Sequence, residues 1–195
     1  PGNPSIQSSA TGGTGMLTTA DLPAPDEGPG GPILVISSTS NPFSRYYAEI
    51  LRTEGFIAFT VTDIAQVSVS TLIVHDVVIL GEMPLSVSQI TMLSNWVMAG
   101  GNLIAMRPDK QLADLLGLSD ASGTLAEGYL RVDTSQEPGR GIVAETIQYH
   151  GTADLYDLNG ATGVATLYSD ATTATAYPAI ALRSVGDLGG QAAAF

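Results

Sequence analysis

The spacing of apolar and polar positions changes rhythm twice along this chain. Up to Pro32 it has no sustained period. From Ile33 to Leu118, apolar runs of strand length alternate with segments of helical spacing, and after Leu118 short alternating runs are separated by Gly, Asn and Asp. The first run, ILVIS at 33–37, is apolar throughout, as a strand covered on both faces requires. SNPFSRYYAEILRTEG then reads as a helix with Ser40 as its cap and Gly55 as its stop, able to place Phe43, Tyr47, Ile50 and Leu51 on one face. FIAFTVTDI (56–64) supplies a second strand and DVVILGE (76–82) a third. SVSQITMLSNWVMAGG sets Ile90, Leu93 and Val97 at helical spacing and closes on Gly100 and Gly101, ahead of the strand NLIAM and the helix KQLADLLG.

This order predicts an α/β fold: a flavodoxin-like, doubly wound, mainly parallel sheet with at least four strands from 32 to 118 and helices on both faces. Right-handed crossovers return each strand parallel to its neighbour. Beyond Leu118, ETIQYHGTADLYDL, GVATLYS, PAIALRSV and GQAAAF read as a β-rich C-terminal extension that widens or covers the same sheet. Residues 1–31 are rich in Pro, Gly, Ser and Thr, the composition of a linker or extended arm, so the expected organisation is an arm at 1–31 and an α/β domain at 32–195. The final apolar run reaches Phe195 without a closing turn or polar tail, which leads us to expect a domain truncated at its C-terminus within a longer polypeptide.

Composition narrows the functions. With 44% hydrophobic residues in 195, the chain can build a core, and its net charge of -12 repels phosphate backbones and anionic lipid surfaces. Nucleic acid is therefore excluded as an expected partner, and no apolar run approaches the roughly 20 residues of a membrane helix. The absence of cysteine removes disulfides, thiolate metal sites and a thiol nucleophile. A single lysine, Lys110, in a sequence rich in Thr, Ser, Ala and Gly points to an exported bacterial domain, so a secreted location is expected.

Candidate chemistry gathers at the carboxyl ends of the predicted strands, where open parallel sheets bind ligands. The residues there are Ser37, Ser38 and Asn41 after the first strand, Glu82 after the third, and Arg107 with Asp109 after the fourth. SSTSN lacks the glycines of a phosphate loop, and helix capping by Ser40 or Asn41 explains it more simply. Arg107 and Glu82 suit a polar ligand such as a sugar, as donor fork and acceptor; equally, Arg107 pairs with Glu82 or with Asp109. His75 and His150 have no metal-ligand spacing, and no cofactor or metal is expected. DLYDLNG falls short of a calcium loop, and Tyr149, Tyr156, Tyr168 and Tyr177 would stack on sugar only if they shared a face.

PILVISSTSNPFSRYYAEILRTEGF, HDVVILGEMPLSVSQITMLSNWVMAGGNLIAMRPD and PAIALRSVGDLGGQAAAF together resemble the class I glutamine-amidotransferase-like superfamily, nearest to its ThuA-like and β-galactosidase-trimerisation-like branches. The resemblance spans about residues 32 to 195. In active members a cysteine occupies the sharp turn after the fourth strand and a later histidine activates it. Here the turn reads Met106, Arg107, Pro108, Asp109, and His150 has no nucleophile to activate. The resemblance thus implies a non-catalytic member of the kind found in large secreted bacterial proteins, where such a domain precedes a polysaccharide-deacetylase-like region. Its expected partners are other domains of the same polypeptide, with carbohydrate as a candidate ligand. The alternative is a hydrolase using Glu82, Asp109 or His150.

Overall fold

A computed structural model describes residues 28–195. Its centre is β1 (Ile33–Ser37), whose Leu34, Val35 and Ile36 are fully buried, as a strand with neighbours on both edges and cover on both faces must be. β2 (Phe59–Asp63) and β3 (Val77–Leu80) flank it in parallel, and β4 (Asn102–Ala105) continues the parallel series beside β3. The helical segments are α1 (Tyr46–Thr53), α2 (Val69–Leu72), α3 (Val87–Met98) and α4 (Ala113–Leu116). Ala48 of α1, with Tyr47 and Leu51, packs on the face that carries Val35, Phe59 and Val61. Leu72, Leu93, Trp96, Val97, Leu112 and Leu116 pack on the opposite face against Leu34, Ile36, Val78, Leu80 and Leu103. Each of these fully buried aliphatic side chains contributes about 1.5–3 kcal/mol of transfer free energy.

The C-terminal half adds β5 (Leu118–Ala126), β6 (Tyr129–Val132), β7 (Ile147–Gln148), β8 (Thr152–Leu158), β9 (Thr162–Tyr168), β10 (Ala174–Val185) and β11 (Gly190–Ala194). The main sheet has nine strands in the order β2-β1-β3-β4-β11-β10-β9-β6-β7, while β5 and β8 form a separate antiparallel pair. The fold is α/β as expected, but the sheet is mixed: β11 lies parallel to β4, and every pairing beyond it is antiparallel. The last strand in sequence is therefore the seam between the two halves. Its alanines suit that place. α3 lies so close that a Cβ on Gly190 would sit 1.9 Å from the Val97 carbonyl oxygen, and one on Gly101 would sit 2.3 Å from the Trp96 ring.

Several local expectations need correction. The turn after β1 is capped by Asn41, one of the two caps expected there, whose side chain accepts from the Phe43 amide, but it opens as a 3-10 turn over Pro42–Arg45 before α1 begins. Ile50 is exposed because α1 turns only its Tyr47, Ala48 and Leu51 side to the sheet, and Phe43 is exposed in the 3-10 turn before α1. Phe56 and Ile57 precede β2 and face solvent. α2 has no periodic signal in the sequence, since four residues cannot show a helical period, although Ser68 and Thr71 form a reciprocal capping box. β3 and β4 bury alternate residues, so their unbroken apolar runs overstate their cover. The expected arm lies mostly outside the described residues. Of its last residues, Gly30 donates to the Phe59 carbonyl at 3.2 Å.

Two loops are tied by aspartates. Asp133 accepts from the Ser135 hydroxyl, the Gln136 amide and the Ser135 backbone, and Asp170 accepts from the backbone and hydroxyl groups of Thr172 and from the Thr173 backbone. Bonds to the charged form hold both pKa values down to about 2. Their contribution to folding is complete above the ordinary value of 3.8 and is lost as pH falls through about 2. Carboxyl-carbon NMR should find both midpoints near 2; midpoints at the ordinary value would show that these loops are open in solution.

Candidate functional site

The backbone ladder of the sheet runs straight into the corner after β4. Met106 donates to the Leu80 carbonyl at 2.9 Å and Arg107 to the Phe195 carbonyl at 2.8 Å. The chain then reverses sharply: Arg107 has φ +44°, in the left-handed region, which costs a residue with a Cβ about 1–2 kcal/mol. Here Arg107 spans two carboxylates, its Nε donating to Asp154 Oδ2 at 3.0 Å and its Nη1 to Glu82 Oε1 at 2.9 Å. Burial alone would lower the Arg107 pKa, but the hydrogen bond and charge of Asp154, followed by those of Glu82, outweigh it and hold the value above the ordinary one. Of the two acids, Asp154 is the more enclosed, with a side chain 17% exposed against 48% for Glu82.

The remaining predicted corner residues are occupied in holding the corner together. Asp109 does not pair with Arg107; its two oxygens accept from the Gln111 and Leu85 amides, each at 2.9 Å, joining the turn to the segment before α3. Asn41 donates to the Glu82 carbonyl at 2.9 Å, tying the end of β1 to the end of β3. Ser38 bonds Ser40 through their hydroxyls at 2.7 Å and donates its amide to Ser44 Oγ at 2.9 Å. Ser37 is wholly buried, and its hydroxyl has no partner among the described residues. The sequence reading missed Asp63, which accepts from Thr39 at 2.9 Å and caps the turn after β2. An Asp closing the alternating strand FTVTD, at the cap position of the turn Ile64–Gln66, was the available signal.

What remains open is a cleft of about 610 Å³ bordered by Ser40, Asn41, Glu82, Arg107, Asp109 and Asp154. His150 does not line it. Its Nδ1 meets Glu127 Oε2 at 2.8 Å on a side chain 82% exposed, and the hydrogen bond from His150, followed by the Gly151 amide, lowers the Glu127 pKa. His75 bonds the Thr71 carbonyl at 2.7 Å. Among the described residues, no group of His, Asp and Glu is arranged to hold a metal ion, and no helix is long and apolar enough to cross a membrane.

A second cavity, of about 210 Å³, lies behind the Arg107–Asp154 pair, where β8 faces β9, β10 and β11. Tyr149 and Tyr156 line it, whereas Tyr168 and Tyr177 do not, so the four tyrosines share no common surface. The Tyr156 hydroxyl donates to the Pro108 carbonyl at 3.4 Å, and burial, followed by the charge of Asp154, pushes its pKa up to about 12. Tyr149 donates to the Leu125 carbonyl at 2.9 Å.

These features define an α/β protein with the class I glutamine-amidotransferase-like fold whose turn after β4 carries an ion-paired arginine. The structure is similar to a β-galactosidase from Rahnella sp. R3, with a TM-score of 0.66 and 16% identity over 84% of this chain and 28% of that one. It is also similar to the exo-β-1,4-mannosidase Op5Man5 from Opitutaceae bacterium strain TAV5, with a TM-score of 0.59 and 17% identity over 85% of this chain and 30% of that one. The chain thus spans less than a third of either glycosidase. A putative ThuA-like protein from Bacteroides uniformis matches along most of its own length, with a TM-score of 0.62 and 9% identity over 89% of this chain and 84% of that one. No protein-family profile and no curated protein sequence matches the chain.

Arg107→Ala should lower stability by about 1–3 kcal/mol, chiefly by stranding the enclosed Asp154 carboxylate, with little added by the half-exposed Glu82. Arg107→Gly should lose less, because glycine relieves the positive φ. Urea denaturation of the two variants checks this, and equal losses would show that the turn stores no strain.

Proposed function

We propose that the chain is a non-catalytic binding or scaffolding module of a larger secreted bacterial protein that handles carbohydrate. The observation that carries this reading is the occupied corner: Arg107 stands where the resemblance implies a nucleophile, and its Nε and Nη1 bind Asp154 and Glu82. Two of the similar structures are large glycosidases of which this fold is less than a third, which supports a modular role beside carbohydrate chemistry. The hydrolase alternative finds no such support. Asp109 spends both oxygens on backbone amides, and His150 sits apart from the cleft beside Glu127.

The experiment compares the parent polypeptide with a version lacking residues 32–195. Removal should weaken its retention on polysaccharide or its assembly while leaving bond cleavage elsewhere in the polypeptide intact. The isolated chain should release no ammonia from glutamine and cleave no glycoside. Turnover abolished by Glu82→Gln, Asp109→Asn or His150→Ala would replace the module with the hydrolase.

A further inference from the structure

The cavity behind Arg107 is built unlike the cleft in front of it. Leu118, Leu167, Tyr156, Ala181 and Ala194 are buried and form its floor, while His150, Thr152 and Phe195 are exposed and mark its rim. At about 210 Å³ it exceeds the roughly 150 Å³ of an apolar cavity that binds benzene, so one six-membered ring fits. A sugar would not suit this floor, since each hydroxyl buried there without a partner costs about 1–3 kcal/mol. A flat apolar ring would bury its faces against Leu118, Leu167 and the two tyrosine rings.

The polar edge of the cavity sets the ligand's charge. Arg107 is the one lysine or arginine on its lining, and that guanidinium already serves two carboxylates, Asp154 and Glu82. At the other side of the rim, His150 is matched by Glu127. With the partner carboxylates Glu82 and Glu127 counted beside Asp154, the surroundings are acidic, as is the whole chain, and disfavour an anion. Asp154 accepts from Arg107 on Oδ2, and its Oδ1 makes no hydrogen bond among the described residues. A nearby donor therefore has an ionised acceptor to bond, and the tyrosine faces favour a cation beside them.

We propose that this cavity binds a single-ring aromatic molecule carrying a protonated amine, with the ring on the apolar floor and the ammonium on Asp154. The inference is independent of the carbohydrate reading: either stands if the other falls.

Calorimetry or ligand-observed NMR with benzylamine, benzyl alcohol and benzoate tests it on the whole chain. Benzylamine should bind saturably with a Kd on the order of 1 mM or below, ahead of benzyl alcohol, and benzoate should not bind. Asp154→Asn should reduce the preference for benzylamine over benzyl alcohol about tenfold, the weight of one charge-assisted hydrogen bond. Filling the cavity by Ala181→Leu should abolish binding. Ala179→Leu, at a half-exposed position on the same wall, gives the same test if the buried variant fails to fold. If Asp154→Asn does not fold, the order of benzylamine and benzoate on the unsubstituted chain decides the charge argument. No saturable binding of benzylamine, a preference for benzoate, or affinity unchanged by a folded cavity-filling variant would overturn the proposal.

Discussion

Ala192→Asp is expected to leave the chain unfolded at room temperature. Ala192 is completely buried in β11, paired with Leu103 on one side and Arg183 on the other, and belongs to the core beneath α3. A carboxylate there would lose its hydration, and Arg183 is already engaged with the Asp114 and Leu115 carbonyls of α4. An unpaired buried charge costs several kcal/mol, a large part of the roughly 5–15 kcal/mol that holds a domain together. The new side chain must also displace neighbours packed to core density. Circular dichroism and limited proteolysis read the outcome directly. A cooperative melt near that of the unsubstituted chain would mean that β11 is not the seam of the sheet. Ala192→Ser, which adds a polar atom and little volume, should fold with a much smaller loss.

Phe59→Ala should cost about 3–5 kcal/mol, the range for removing a buried aromatic ring. Phe59 is 1% exposed and shares the smaller core with Val35, Ala48 and Val61, where few other side chains can move into the space left behind. Its ring also lies 5.4 Å from the Arg52 guanidinium, whose attraction to the ring adds a fraction of a kcal/mol. Phe59→Leu keeps most of the volume and should lose less than about half as much. Urea midpoints separate the two variants. Equal and small losses would place Phe59 outside the core and leave α1 without its anchor on the sheet.

The parts of the fold legible in the sequence were those whose stabilisation is local. α3 announced itself because Ile90, Leu93 and Val97 recur at helical spacing ahead of Gly100 and Gly101, and the structure adds a capping box between Ser86 and Gln89. β1 was equally plain, since burial on both faces leaves no room for a polar residue before Ser37. The sheet order beyond β4 was not legible. Four small residues, Gly190 and the alanines after it, carry no mark that distinguishes a central strand from an edge, and only contact with Leu103 and Arg183 decides it. The separate pairing of β5 with β8 was hidden likewise, because β5 buries little beyond Leu118 and shows no deep apolar stripe.

The corner followed the same rule. Its members Asn41, Glu82, Arg107 and Asp109 could be named from their place after strands, and the pairing of Arg107 with Glu82 was one of the weighed alternatives. The second partner, Asp154, lies 47 residues further along and owes its position to the β5–β8 pair, which spacing does not reveal. Asp109 looked like a partner for Arg107 by proximity in sequence. It is instead drawn to the unsatisfied amides of Gln111 and Leu85, which a neighbouring carboxylate satisfies at less cost than a second ion pair would.

The position of β11 bears on how the chain is made. A ribosome delivers β4 (Asn102–Ala105) long before β11 (Gly190–Ala194), so the parallel half-sheet must wait with the β4 edge bare until the β10–β11 hairpin arrives to cover it. Such bare edges are the surfaces on which nascent chains pair with one another. Synthesis that pauses before Gly190 would therefore yield a product prone to aggregate although nearly all of its sheet had been translated. Protection by a chaperone would matter most in the interval before the five residues of β11 emerge.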